Sequence, residues 1–384
     1  MSYDLASIKD ITVNLDNRRK PLNGSERDRI SERKLYPYIG ANNIMEYVGE
    51  YLFDEEILCI AEDGGSWGPN EKCASYINEK CWVNNHAHVL GFKGIVDLKY
   101  LMYYFNYEDL NKYITGSTRG KLTKSALESI QIPLPPLPIQ KRIAEILDAA
   151  DTLRRKDQQL LKKYDELAQA IFIDMFGDPV KNEKGWEKIA FENFIEYIGD
   201  IGSNGSNATI SKNLEMSDME DYAIMIRTTN LNANNFENNL KYVSKKTYDF
   251  FQKSQIFGGE IIMNKIGSAG DFWIMPLLKK PVSLGLNQLV IRLKNLNTKY
   301  LYYYLSTNYG KAMINASING AVTKSITKGA VKQLPILYPI LDLQNKFSEL
   351  IDIIEKQKNQ STNINTNQLF NTLIQKAFTG ELVT

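Results

Sequence analysis

The chain has 384 residues, of which 43% are hydrophobic and 24% charged, with 46 Lys and Arg against 45 Asp and Glu. That length calls for two or more domains, and a net charge of +1 gives no global basic field, although a near-neutral chain can carry local basic surfaces. No apolar run reaches ~18 residues and the start MSYDLASIKDITVNL has no basic n-region, so neither a membrane span nor a signal peptide is expected. Three cysteines fit a reducing, cytoplasmic setting better than a disulfide framework.

Residues 1–135 read as a mixed globular segment. Short apolar runs at Tyr36 to Ile44, Glu56 to Asp63 and His88 to Phe92 are separated by Gly, Asn and Pro signals, the pattern of strands and loops. An amphipathic helix rich in aromatics follows (Asp97 to Ile114), then the loop TGSTRGKLTKSALESIQ and the proline run IPLPPLP from Ile132 to Pro138. From there one helix is predicted to Asp178, with a seam at Ile139, Ile143, Ile146, Ala150, Leu153, Leu160, Tyr164, Leu167 and Ile171 and the polar Asp157 within it. Ile139 to Phe176 is 38 residues, a rod of roughly 57 Å at ~1.5 Å per residue. Gly177 and Pro179 supply stop chemistry.

After Pro179 the same order recurs. Tyr222 to Leu231 stands where Tyr36 to Ile44 stood, Gly258 to Met275 where the Glu56 to Asp63 region stood, and Asn297 to Ala316 repeats the aromatic helix. In this register Leu101 matches Leu301, Thr123 and Lys124 match Thr323 and Lys324, Pro133 matches Pro335, and Gln140 matches Gln344 after a four-residue slip in the proline segment. A period held across so many elements signals internal duplication. The second long helix, from about Asp342 to Phe378, is interrupted by the polar stretch Lys356 to Gln368 and resumes at Ile364, Leu369 and Phe370. The expected fold is therefore α+β: two duplicated mixed α/β domains (1–135 and 179–337) separated by a long antiparallel two-helix coiled coil (136–178 and 338–384). In that arrangement Asp157 faces the Asn-rich centre of the second helix.

The chemical motifs are weak. GSTRGKLT at Gly116 to Thr123 has three residues between its glycines where a P-loop needs four, and Leu122 follows Lys121 where Ser or Thr is required. Cys73, Cys81, His86 and His88 invite zinc, but their spacing matches no usual finger and the second half carries none of them, so buried thiols and loop imidazoles are the default. No hydrolase, metalloprotease or dinucleotide signature stands in a credible context, so no catalytic site, cofactor site or metal site is expected in this chain. What remains are polar, basic and aromatic loops. In the first half these carry Arg18, Arg19, Lys20, Ser66, Trp67, Arg119, Lys121 and Lys124; in the second, Arg227, Thr228, Asn230, Asn264, Lys265, Ser268, Asn287 and Lys324. Arg and Lys suit phosphates and guanine edges, Asn suits adenine, and N–H groups at glycine-rich turns suit phosphates, so these are the candidate DNA-binding residues. Any one of them alone is as readily a solvated surface group. The stripes Tyr103 to Phe105 and Tyr302 to Tyr304 sit at helical spacing among apolar neighbours and read as core.

Four stretches together resemble the DNA-specificity subunit of type I restriction–modification systems: GKLTKSALESIQIPLPPLPIQKRIAEILD, LAQAIFIDMFGDPVKNEKGW, TKSITKGAVKQLPILYPILDLQNKFSELID and LIQKAFTGELV. The resemblance implies one target-recognition domain per half of a bipartite, asymmetric target in double-stranded DNA. It also implies a coiled coil that sets the gap and docks two modification (methyltransferase) subunits, joined by restriction subunits. S-adenosylmethionine, ATP and Mg²⁺ would belong to those partners. Alternatives are the recognition subunit of a type IIB-like enzyme and a coiled-coil scaffold that binds no DNA.

Overall fold

The computed structural model describes residues 3–31, 33–116, 118–362 and 365–383. The chain divides into two compact units, Met1–Leu160 with Thr362–Thr384, and Leu161–Ser361. Each unit therefore contains one globular segment, the near half of one long helix and the far half of the other.

In the first unit a short antiparallel ladder opens and closes the globular segment: Leu5–Ser7 pairs with Gln131–Pro133, just before the proline run. The central sheet has the order Thr12–Asn14, Ala87–Phe92, Ile57–Ala61, Ala74–Ile77, all antiparallel. Its middle strand, ILCIA, is buried on both faces, which explains why it reads as an unbroken apolar run rather than an alternating one. A second sheet sets Tyr36–Ile39 parallel to Trp82–Val83 and antiparallel to Ile44–Val48. The aromatic helix Leu98–Tyr107 is capped by the Asp97 carboxylate, which accepts from the N–H groups of Lys99 and Tyr100. It buries Tyr100, Leu101, Tyr104 and Phe105 against the sheet and against Ile143 and Leu147 of the long helix. The expectation that its aromatics are core holds.

The second unit repeats this order. Glu187–Ala190 pairs with Pro335–Tyr338, and the central sheet runs Ile195–Gly199, Gln288–Leu293, Ile261–Asn264, Phe272–Ile274. Ala223–Ile226 lies parallel to Val282–Leu284, as Tyr36–Ile39 does to its neighbour. The aromatic helix Thr298–Ser306 is capped by Asn297, the counterpart of Asp97.

The join between aromatic helix and long helix is the same buried clasp in both units. Gln140 is fully buried; its Oε1 accepts from Asp97 N at 2.8 Å and its Nε2 donates to Pro135 O at 2.7 Å and to Ile95 O at 3.3 Å. Gln344, equally buried, accepts from Asn297 N at 2.9 Å and donates to Pro339 O at 2.7 Å. Two tyrosines add to each clasp. Tyr100 and Tyr104 donate to the carbonyls of Pro133 and Gln131, and Tyr300 and Tyr304 to those of Leu337 and Pro335.

These bonds correct the repeat register. Gln131 answers to Pro335, Pro133 to Leu337, and the helix cap Thr123 to Thr327, so that Lys124 matches Lys328 and not Lys324. The four extra residues lie earlier than the prolines suggest. They are taken up after the aromatic helix, where the second unit has a full helix, Asn308–Ala316, in place of the single turn Asn111–Tyr113. Matching proline to proline misplaced the insertion because Pro335 happens to occupy a strand position that Gln131 fills in the first unit.

The first long helix spans Leu137–Phe176, 40 residues. It starts within the proline run because its first turn needs no N–H from Pro138. It stops at Gly177, which has φ +80° and donates its N–H to Ile173 O at 2.8 Å. The expected seam is only partly correct: Leu153, Leu160 and Leu167 are 48%, 39% and 47% exposed. The buried stripe instead runs Ile143, Leu147, Ala150 in the first unit and Ala168, Phe172, Phe176 in the second. Each half of the helix packs on a globular core as well as on a helix, which selects a wider stripe than a strict coiled-coil repeat. The second long helix is two helices, Leu341–Thr362 and Thr366–Thr379, not one; Asn365 caps the latter by accepting from Gln368 N. Ile364, expected to resume the seam, lies outside the described residues.

Pairing of the two helical segments is antiparallel within each unit. In the first, the Arg154 guanidinium lies over Phe370 while Thr366 donates to Asp157 at 3.0 Å, so the polar seam position does meet the Asn-rich stretch. Phe378 packs on Tyr100, Tyr104 and Tyr107. In the second, Phe172 meets Phe347 and Tyr300, and Lys358 pairs with Asp165 at 2.5 Å. Gln140→Ala would strand Asp97 N and two carbonyls inside the fold, costing about 1–3 kcal/mol. Phe172→Ala would open a cavity among three rings, costing about 3–5 kcal/mol. Denaturant unfolding of each variant measures both losses.

Candidate nucleic-acid interface

Several candidate cations lie at one end of each central sheet, where buried acids organise them, while Thr228 and Asn230 lie on the short helix Thr228–Asn232 and Lys124 on Lys124–Ser129. In the first unit Asp16 follows the strand Thr12–Asn14. Its carboxylate accepts from Val89 N at 2.8 Å and faces His88 Nδ1 at 2.7 Å, while His88 Nε2 donates to Leu122 O at 2.8 Å. Glu62, just past the strand Ile57–Ala61, pairs with Arg19 at 2.5 Å and with Lys121 at 3.0 Å. Arg19 also donates to Ala87 O at 2.7 Å and to Asp16 O at 3.1 Å. Burial pushes both carboxyls up. The hydrogen bonds from His88 and Val89 to Asp16, and from Arg19 and Lys121 to Glu62, outweigh it and hold both below their ordinary values.

In the second unit Asp200 follows Ile195–Gly199 and takes the place of Asp16. Lys265 donates to its Oδ2 and Lys328 to its Oδ1, each at 2.7 Å, and Ser203 Oγ lies 2.8 Å away. Burial again opposes the charge, and the two lysines and the serine override it, bringing the carboxyl to about 2. Lys265 and Lys328 come from segments far apart in sequence, so one carboxylate fixes two loops.

The structure separates the candidate residues into groups. Arg19, Arg119 and Lys121 converge on Glu62 and Asp63, with Arg119 bonded to Asp63 at 3.0 Å. Lys265 joins the Asp200 cluster, and Thr228 donates to Asn264 Oδ1 at 2.8 Å and accepts from Gln288. Arg227 is held by Asn230 and by the carbonyl of Asn239. Ser66, Ser268, Asn287, Lys20 and Lys324 are exposed, and Asn287, at φ +63°, accepts from Lys265 N. Lys124 is exposed near Glu128. Arg18 turns aside to Glu55 and the Phe53 ring. Trp67, Asn230 and Asn264 are buried at 6%, 3% and 1% exposure, and Trp67 Nε1 donates to Ala61 O at 3.2 Å. These three hold the turns from within rather than face solvent. Asp16, Glu62 and Asp200 are site residues that residue type and loop position do not reveal, and His88, a candidate zinc ligand by sequence, serves Asp16 instead. An acid one or two residues past the first strand of each central sheet, NLD and IGD, is the signal that marks two of them.

The zinc alternative disperses: Cys73 donates to Phe105 O, burial pushes the Cys73 and Cys81 thiols up to about 12, and His86 and His88 are engaged by Asp63 and Asp16. The P-loop-like segment is a hairpin. Thr115 pairs with Lys121, and Gly116 has φ +94°, where a Cβ would come 2.4 Å from Arg119 O.

A model of the type I restriction modification DNA specificity domain matches residues 4–163 and 186–371. A provisionally named type I restriction enzyme specificity subunit of Haemophilus influenzae is 39% identical over 139 residues, 36% of this chain and 35% of that protein. The EcoBI specificity subunit of Escherichia coli is 24% identical over 307 residues, 71% of this chain and 63% of that one. The alignments thus span less than two thirds of these relatives. The fold matches the crystal structure of a type I restriction–modification S subunit from M. genitalium with a TM-score of 0.66 at 12% identity, over 98% of this chain and 96% of that one. No helix among the described residues is long and apolar enough to cross a membrane.

The Asp200 cluster carries a pH signature. A carboxyl lowered to about 2 contributes stability that is present above its unfolded value of 3.8 and is lost as pH falls toward 2. Wild-type stability is therefore expected to drop by about 2 kcal/mol between about pH 5 and pH 2 on account of this group. Asp200→Asn, less stable at neutral pH, should show a correspondingly flatter acid limb in urea titrations.

Proposed function

Since the chain belongs to the type I restriction–modification DNA specificity family, we propose that it reads a two-part, asymmetric DNA target, one half per unit, for a complex containing modification and restriction subunits. The observation that carries this reading is one scaffold built twice, with the same clasp, sheet order and buried acid, but with different side chains on the turns at the sheet end. A repeated scaffold with differing loops suits two different half-sites, since loops on a rigid frame carry recognition. Cations drawn to these acids and still open to solvent, Arg119 and Lys121 above all, suit phosphate and base edges. The methyl transfer and DNA cleavage, with S-adenosylmethionine, ATP and Mg²⁺, belong in this reading to the partner subunits, and this chain directs them.

Cells carrying the chain with its partner subunits are expected to show a gapped, two-part methylated motif by methylome sequencing; its absence sinks the reading. Exchange of residues 1–135 for those of a relative should change one half of that motif alone. Matched seven-residue insertions in both long helices should widen the gap by about three base pairs, from ~1.5 Å per helical residue and ~3.4 Å per base pair. Binding to a target duplex should weaken linearly in log[salt], with a slope near −0.9 per phosphate neutralised. A scaffold without DNA binding would give no specific shift at any salt.

A further inference from the structure

The corrected register places a second duplicated feature beside the buried acids. In the first unit the hairpin Thr115 to Lys121 rises from the end of the central sheet. In the second, the equivalent is Asn319 to Ser325, closed by two backbone hydrogen bonds of 2.8 Å. The first base is a two-residue ladder, Thr115 with Lys121 and Ile114 with Leu122, and the second the single bridge Asn319 to Ser325, but both are anchored in the same way. Each leans on the strand end through an isolated bridge, Asp63 to Lys121 and Ile266 to Ser325. Each sends one N–H to the same carbonyl position, Leu122 to Glu62 at 2.7 Å and Ile326 to Lys265 at 2.9 Å. Leu122 and Ile326 are fully buried, and Thr123 and Thr327 cap the helices that follow. Both turns demand glycine: at Gly320, φ +102°, a Cβ would come 2.2 Å from Thr323 O, as one at Gly116 would meet Arg119 O.

The tips differ. Among the described residues the first offers Thr118 and Arg119, both exposed, with Arg119 63% accessible although tied to Asp63. The second offers Ala321, Val322, Thr323 and Lys324, all exposed, with Val322 at 98%. The β-branched apolar side chain of Val322 near the apex of a glycine-enforced hairpin stays almost wholly exposed among the described residues. The base beneath it is tied to the Asp200 cluster, since Ile326 N donates to the carbonyl of Lys265, whose ammonium is bonded to Asp200 as is that of Lys328. A frame kept the same and a tip that varies is what is expected of an element that is presented identically but must read different sequences.

We propose that in each unit this hairpin is the specificity-determining element, inserted into a DNA groove with its tip against the base edges. Arg119 in the first unit suits a guanine edge, and the Val322 apex in the second suits a thymine methyl, which offers apolar contact and no hydrogen bond. Asp16 with His88, and Asp200 with its two lysines, position the hairpins from beneath. This rests on the reading that the chain recognises a two-part DNA target.

The test uses the full chain with its modification partners. The methylated motif of the wild type is determined first, and then those of Val322→Asn and Val322→Ala. Because Val322 is almost wholly exposed, both variants should fold with unchanged unfolding midpoints. The expected result is a change confined to one half of the motif: discrimination at one or two positions falls by about fivefold or more in Val322→Ala. In Val322→Asn the preferred base at such a position shifts. The other half and the gap stay as they were. If both variants methylate the wild-type motif with wild-type discrimination at every position, or if both halves change together, the inference is overturned. If the wild type itself yields no gapped motif, it is the functional reading that fails, and the two failures are told apart by that first measurement.

Discussion

The structure depends on an amide with no access to water. Gln140 and its counterpart Gln344 are buried completely, and each satisfies its oxygen and nitrogen by joining three things: the N-cap of an aromatic helix, the end of a proline segment, and the first turn of a long helix. A buried amide with unmet bonds is costly, and one with all its bonds met fixes direction. The clasp therefore sets the angle at which each long helix leaves its globular segment. The tyrosines that donate to the same segments repeat the constraint twice per unit. Once the helix leaves along that line, its apolar stripe must be covered, and each unit covers it with the far end of the other long helix: Phe370, Ile374 and Phe378 in one unit, Ala168, Phe172 and Phe176 in the other. The duplicated segments are thus not closed by their own sequence. Each is completed by a helix that arrives from the other repeat.

At the opposite end of each sheet the constraint is electrostatic. A carboxylate just past the first strand of the central sheet is kept ionised against burial by the donors it collects. In the second unit that means two lysines bonded to different oxygens of one carboxylate; in the first the work is shared between Asp16 and Glu62. The two solutions use different residues at equivalent positions, Glu62 against Lys265; in the first the turn after the third strand is fastened to the hairpin through Lys121, in the second to the helix that follows the hairpin through Asp200 and Lys328. Charge pairing here orders loops that have little apolar surface of their own to bury.

Much of this was legible in the sequence, because duplication shows as repeated order even when identities drift. The aromatic helix, the glutamine and the glycine stop recur visibly, and the long helix begins at Leu137 and ends at Phe176, one and two residues from the bounds its proline and glycine signals mark. What misled was matching residues by type. Pro133 and Pro335 look equivalent, but one carbonyl receives Tyr100 and the other Tyr304, so the register between them is wrong. Leu153, Leu160 and Leu167 fit a heptad, yet face solvent because the helix packs on a domain rather than along a single seam. The candidate interface was read by residue type and loop position, which finds Arg119, Lys121 and Lys265. It cannot tell a solvent-facing Asn287 from a buried Asn264, nor foresee that an acid such as Asp200 governs the lysines around it. Those distinctions depend on which loops meet in space, and only the corrected pairing of strands and hairpins supplies that.

If each unit is closed by a helix from the other repeat, weakening that helix must loosen one unit and spare its twin. Native-state hydrogen exchange on full-length Phe378→Ala measures this directly, since Phe378 packs on three tyrosines of the first aromatic helix. The account predicts that amides of Leu98–Tyr107 lose protection while those of Thr298–Ser306 keep theirs. Equal loss in both helices, or undiminished protection in Leu98–Tyr107, would contradict it.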